Sequence, residues 1–178
     1  MDEVIIVEYD PRWQTLFAAE GARIKEALDK NILVTIEHIG STAVPGLAAK
    51  PIIDLMVGVR CLVDAQSAIS PLEALGYLYW RENPDSDRMF FVKGMPPSGT
   101  QRTHHVHIVE VDEEFWQRLL FRDYLRIHKD EAQRYAALKR ELATRFRNDR
   151  ERYTDGKSEY IKAVMQLARA ELSRQDFT

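Results

Sequence analysis

The chain has 178 residues and a single cysteine, Cys61, so no internal disulfide can form and the fold does not rely on oxidation. Long apolar runs are missing too. The first apolar stretch is Val4-Ile5-Ile6-Val7, and none approaches the roughly 20 residues that span a bilayer, so no membrane partner is expected. Asp2 and Glu3 stand where a secretory signal carries positive charge, and the chain therefore reads as cytoplasmic. Nor is there an excess of basic charge. With 25 Lys and Arg against 28 Asp and Glu, the net charge of −3 argues against a diffuse surface for duplex nucleic acid. Internal repeats and low-complexity tracts are absent. What remains is an ordinary globular balance, 45% hydrophobic and 30% charged, in a length that suits one domain with its own core.

A short β-branched strand is expected at 4–7. Asp10 then suits a helix N-cap, with Pro11 at the first helical position. Trp13, Leu16, Phe17, Ile24 and Leu28 recur at helical spacing, which predicts a helix over 12–28. A strand over 32–39 is broken by Gly40-Ser41-Thr42, and Pro45-Gly46 punctuates a loop over 43–50. The dense apolar run 52–59 carries one charge, Asp54, and reads as a buried strand. A helix over 64–75 stops at Gly76. Strands at 77–81 and 88–93 flank a polar segment, a Pro- and Gly-rich loop fills 94–101, and a strand covers 103–111. Helices follow over 114–127, 130–148 and 157–173. The expected fold class is α/β (α+β). One domain, 1–178, would have a sheet-containing core over about 1–111 and a helical part over 112–178 packed on it.

The informative stretch is His38-Ile39-Gly40-Ser41-Thr42-Ala43-Val44-Pro45-Gly46-Leu47-Ala48-Ala49-Lys50-Pro51-Ile52-Ile53-Asp54. A strand ending at Gly-Ser lets backbone approach a ligand closely, because glycine has no side chain in the way. Ser41 and Thr42 add hydroxyls and amide N–H groups that suit a phosphate. A carboxylate inside an apolar strand is costly unless it is paired or holds a cation, which makes Asp54 a candidate metal ligand. Two plainer readings stand beside these: the Gly-Ser is a simple turn, and Asp54 caps a neighbouring loop.

This string resembles the GrpB family, which has a nucleotidyltransferase-like fold and also occurs fused to dephospho-coenzyme A kinase. Tyr9-Asp10-Pro11 with Trp13, His105-Val106-His107, Phe121-Arg122-Asp123-Tyr124-Leu125 and the region 153–161 extend the resemblance over nearly the whole chain. It implies a mixed sheet flanked by helices, and nucleotidyl or phosphoryl transfer from a nucleotide with a divalent metal. Nucleotidyltransferase-fold proteins follow their Gly-Ser, about a dozen residues on, with an Asp-x-Asp pair; here 12 residues, 42–53, separate Ser41 from Asp54. The second acidic position holds Met56, a poor ligand for Mg²⁺, so standard two-metal chemistry is in question.

Strand alternation places His105 and His107 on one face, where they are expected to face Asp54 as metal ligands or, for one of them, as a general base. Two imidazoles and a carboxylate suit Mn²⁺, Fe²⁺ or Zn²⁺ better than Mg²⁺. Alternatively, one histidine is a surface residue and the other binds a core carbonyl. Lys50, Arg88, Lys93, Arg122 and Lys157 are the candidates for a nucleotide or another phosphate-bearing molecule, Arg122 and Lys157 through the family match, with a solvated position as the plain alternative for each. The charge-mixed faces around Lys139-Arg140-Glu141 and 145–152 are expected to be solvated. Three functions follow. The first is a metal-dependent nucleotidyltransferase. The second is a non-catalytic module binding a nucleotide or coenzyme A precursor, or assisting a protein partner in coenzyme A metabolism. The third is a metal enzyme of another class.

Overall fold

The computed structural model describes residues 3–175. Five strands, β1 (Leu33–Ile39), β2 (Ile53–Val59), β3 (Tyr77–Tyr79), β4 (Met89–Lys93) and β5 (His104–Glu110), form one mixed sheet in the order β1-β2-β5-β4-β3. β2 and β5 run parallel and the other pairs antiparallel. The apolar run falls in β2 because that strand is interior to the sheet and buried on both faces.

Helix α1 (Arg12–Ala27) starts one residue later than expected, with Pro11 rather than Asp10 at the N-cap, while Asp10 Oδ1 accepts the Arg12 N–H at 2.9 Å. Trp13, Phe17, Ile24 and Leu28 pack with the sheet residues Ile53, Leu55, Val57, Phe91, Val106 and Ile108 in one cluster. Leu16, expected on that stripe, is exposed. Glu20 is buried instead, accepting from Lys93 Nζ at 2.6 Å and Tyr77 Oη at 3.0 Å. Helix α2 (Ile69–Ala74) covers the same face. The other face carries α3 (Glu113–Ile127), whose Phe115 and Leu119 rest on Met56 and Val109. Asp112 caps α3 by accepting the Phe115 N–H at 2.9 Å. Helices α4 (Lys129–Arg145), α5 (Arg150–Asp155) and α6 (Ser158–Gln175) follow. With α3 they enclose the loop after β1: Val44, Leu47 and Ala48 pack against Leu125, Ala132, Tyr135, Ala136 and Val164.

Four expectations are corrected. Residues 4–7 form no strand; only Val7 pairs, with Ala49, while the Val4 N–H donates to the Arg147 carbonyl. The segment 64–75 starts as a 3₁₀ turn, Asp64–Ala68, and becomes α-helical where Pro71 can sit in a first turn. The helix expected to reach 148 stops at Arg145, and Asp149 starts α5 by accepting the Arg152 N–H at 3.0 Å. Arg88 lies just before β4 rather than in it. No helix among the described residues is long and apolar enough to cross a membrane.

Candidate metal and phosphate site

Parallel pairing sets Asp54 beside His105 and Met56 beside His107. Alternation turns all four away from α1, together with Phe90 of β4, which pairs with His107. Asp54 Oδ1 lies 2.8 Å from His105 Nδ1 and 4.0 Å from His107 Nε2. One ligand atom from each of the three residues lies within 4.8 Å of the others. The Phe90 ring backs both imidazoles at 5.2 and 4.8 Å between centroids. Burial alone would raise the Asp54 carboxyl, but the contacts with His105 and His107 outweigh it and hold the group well below the usual carboxylate range. Burial also lowers His107, keeping its imidazole neutral at pH 7 against the pull of Asp54. An ionised carboxylate beside neutral imidazole is the donor set of a divalent transition metal. Donors about 2.1 Å from an ion stand roughly 3 Å apart when adjacent and about 4.2 Å when opposite, and the two separations from Asp54, 2.8 and 4.0 Å, fall near that range, so the carboxylate and two imidazoles suit such an ion once the set draws together on it. Met56 is fully buried among Val109, Phe115 and Leu119, so its strand offers no second carboxylate.

The Gly-Ser turn abuts this set. Gly40 has φ 72°, and a Cβ there would stand 2.4 Å from Asp54 Oδ2. Only glycine lets the turn close over the carboxylate. Ser41–Ala43 is a 3₁₀ turn with Ser41 half-buried and near the Tyr135 hydroxyl. Thr42 is buried, and its hydroxyl donates to the Ile52 carbonyl at 3.2 Å and lies 3.1 Å from His38 Nε2. His38 stacks on Phe17 at 4.6 Å, and burial pushes its imidazole down to about 4. Thr42 thus fastens the turn to the start of β2. Arg122 is buried with its donors engaged by Glu37 at 2.9 Å, the His38 carbonyl at 3.0 Å and Asp123 at 2.7 Å. Arg126 Nε donates to the Ala43 carbonyl at 3.1 Å. From α3, Arg126 holds the turn and Arg122 holds the end of β1 that leads into it.

The basic side chains divide by location. Lys157 Nζ and Lys50 Nζ lie 4.5 and 5.1 Å from the centroid of the Tyr153 ring, and Lys139 Nζ lies 4.7 Å from that of Tyr135. Lys139, expected on a solvated face, is 2% exposed and donates to the Ala48 carbonyl. Burial pushes its ammonium down to about 7, and the charges of Lys157, Arg140 and Lys50 push the same way. Lys157 is lowered to about 8 by burial, with Asp54 pulling upward. The signal for Lys139 was present in the chain: it continues the buried stripe Ala132, Tyr135, Ala136, Leu142, Ala143 at spacings of three and four. Arg88 pairs with Asp85 and sits 5.9 Å from the Phe90 ring, close enough for its charge to act on His107. Lys93 lies on the α1 face, bound to Glu20, a correction that follows from strand parity. The structure therefore sets Gly40 and Ser41 beside Asp54, His105 and His107, draws Lys50, Lys139 and Lys157 around two tyrosines nearby, and uses Thr42 and Arg122 as internal fastenings.

Comparison with known proteins gives a consistent kinship. Residues 3–167 match the profile of the GrpB protein family. A UPF0157 protein of Pseudomonas aeruginosa is 50% identical over 169 residues, covering 95% of this chain and 69% of that one. A dephospho-CoA kinase of Mycolicibacterium paratuberculosis is 30% identical over 188 residues, covering 93% of this chain and 46% of the kinase. Among solved structures, GrpB from Enterococcus faecalis superposes with a TM-score of 0.84 at 37% identity, covering 94% of this chain and 99% of that one. The chain belongs to the GrpB family.

Proposed function

We propose that this chain is a transferase domain that moves a nucleotidyl or phosphoryl group from a nucleotide with the help of one divalent cation. The observation that carries the reading is the convergence of Asp54, His105 and His107 ligand atoms within 4.8 Å, beside a turn that Gly40 alone can close. Asp54, His105 and His107 would hold the cation, which supplies positive charge to a phosphate oxygen when bound. The imidazole donors favour Mn²⁺, Zn²⁺ or Fe²⁺, with Mg²⁺ the weaker fit. Ser41 and its amide would face the phosphates. Lys50, Lys139 and Lys157 would meet the charge of the departing phosphate group, and Arg88 adds charge beside His107. Thr42 and Arg122 act by holding the turn in place.

Thermal-shift titrations test this. ATP, GTP, CTP, UTP and dephospho-coenzyme A are each added with and without Mg²⁺, Mn²⁺ and Zn²⁺, and phosphorus NMR follows any transfer. Kinship to a dephospho-CoA kinase makes the coenzyme A precursor the first acceptor to try. A ligand at 100 times its dissociation constant adds roughly 2.7 kcal/mol of stability. A metal-dependent shift with one nucleotide, lost in Asp54→Asn, supports the reading; no shift with any nucleotide in folded protein defeats it.

Met56 favours a second reading. Its burial in an apolar cluster removes the acidic pair, which points to a module that binds a nucleotide or coenzyme A precursor without transferring anything. Nucleotide binding without metal dependence, and with no new phosphorus resonance, selects this reading.

A further inference from the structure

A cleft of about 860 Å³ opens between α3, α6 and the segment 84–88 that precedes β4, a volume within the range of small-molecule sites. Gln117 and Phe121 stand four residues apart on α3, and Ile161, Met165 and Arg169 follow at fours on α6, so each helix turns one face to it. One wall leads to the Gly-Ser turn: the Phe121 ring centroid lies 5.3 Å from that of Tyr135, whose hydroxyl is near Ser41. The other leads to the Asp54 set: the Arg88 guanidinium lies 5.9 Å from the Phe90 ring, and Phe90 lies 4.8 Å from His107. The charged lining is already engaged. Arg88 pairs with Asp85, Asp87 also has a partner, and Arg169 Nε donates to Gln117 Oε1 at 2.9 Å. With these groups occupied and Phe121, Ile161 and Met165 beside them, the cleft suits a flat, uncharged, largely apolar body. Only an oxygen can accept from Arg169 Nε, so that contact fixes the Gln117 amide and leaves its NH₂ as a donor for a ligand.

We infer that this cleft holds the base of the nucleotide, its ring against Phe121, Ile161 and Met165, and that Gln117 selects a keto base, uracil or guanine, over cytosine and adenine. The inference rests on the reading of the neighbouring Gly-Ser turn and Asp54 set as a nucleotide site. A planar base meets apolar side chains with its faces and keeps its polar edge for hydrogen bonds. On that edge uracil and guanine carry an acceptor oxygen where cytosine and adenine carry an amino group. The Gln117 NH₂ pairs with the oxygen and opposes the amino group, donor against donor. Arg169 acts as a positioning residue, because its bond to Oε1 keeps the amide from turning over.

The test is calorimetric titration of the whole chain with UTP, GTP, CTP and ATP in the presence of Mn²⁺, joined to backbone amide NMR with UMP and GMP without metal. UTP or GTP should bind about tenfold more tightly than CTP and ATP, and the tighter of the two identifies the ring that fits. Gln117→Glu places an acceptor where the NH₂ stood, so the order should reverse toward CTP and ATP; a role in folding alone would weaken all four together and leave their ratios unchanged. UMP or GMP should shift the amides of Phe121, Ile161 and Met165. Equal binding of the four triphosphates, a parent preference for CTP or ATP, an unchanged order in Gln117→Glu, or amide shifts that bypass those three residues would overturn the inference. Equal binding with phosphorus NMR still recording transfer would remove the base assignment and keep the transferase reading. Keto-selective binding that Gln117→Glu reverses, with no transfer, would remove the transferase reading and keep the base assignment.

Discussion

On the α1 side, β2 and β5 present Ile53, Leu55, Val57, Val106 and Ile108, none more than 2% exposed. On the opposite side the same two strands present Asp54, Met56, His105 and His107, and the side chains of Asp54 and His107 are 26% and 15% exposed. The backbone and its register are common to both faces, so the difference is one of side-chain chemistry alone. The apolar face gains stability from every residue it buries. The other face gathers a carboxylate and two imidazoles that an apolar set of the same volume would replace without loss of fold. A face built this way makes sense as a place for a ligand. Substitutions should separate the two: on one face they move stability and leave ligand response alone, and on the other the reverse.

The sharpest way to break the contrast is Leu55→Ala against Asp54→Asn, neighbours in one strand. Leu55 is fully buried, so its truncation should cost about 2–5 kcal/mol of unfolding free energy, read by urea denaturation. Asp54→Asn should cost less than half as much and abolish any metal-dependent gain in melting temperature. Equal losses of stability would mean that Asp54 serves the fold as Leu55 does.

His38 tests a polar residue on the apolar side. It is 3% exposed, and its imidazole is pushed from about 6.5 down to about 4 by burial. The unfolded chain therefore takes up a proton between those values that the folded chain refuses. Stability is unaffected by this group above pH 6.5, falls as pH drops from 6.5 to 4, and loses no more below 4. The full difference is about 3 kcal/mol. His38→Gln should lack that part of the acid slope, measured as the wild-type minus variant difference in unfolding free energy across pH 4–7. Parallel slopes would show that His38 keeps its charge inside.

Much of the architecture can be read from residue order because it is written in periodicity. Asp54 stands out as the one charge in an apolar run, and strand alternation alone puts His105 and His107 on one face. Parity also separates Arg88 from Lys93, five positions apart in what was expected to be one strand. The two could never have shared a face, and the expectation that both approach one anion overlooked this. Other features depend on distant partners. Thr42 and Arg122 have the residue types of phosphate contacts, but Ile52, Glu37 and Asp123 engage their donors, and no local pattern announces that. The β-branched run 4–7 has strand propensity yet finds only Ala49 across from Val7 and the end of α4 near Val4, so it stays extended without a ladder.

Lys139 refines the comparison most, because it carries charge into an apolar helix stripe with a carbonyl and a ring as its neighbours. Its ammonium is lowered from 10.5 to about 7, so between those values the unfolded chain holds a proton that the folded chain has released. Stability should therefore rise as pH climbs from about 7 toward 10.5, and the penalty of the buried charge should be complete below 7. Lys139→Met should remove that rise, seen as a wild-type minus variant difference between pH 7 and 10. If the lysine is there to meet phosphate, the same variant should bind nucleotide about tenfold more weakly, close to 1.4 kcal/mol, while still folding. A variant that loses the pH dependence yet binds nucleotide as tightly as the parent would make Lys139 a fastening for Ala48, to be grouped with Thr42 and Arg122. The phosphate site would then rest on Lys50 and Lys157 alone.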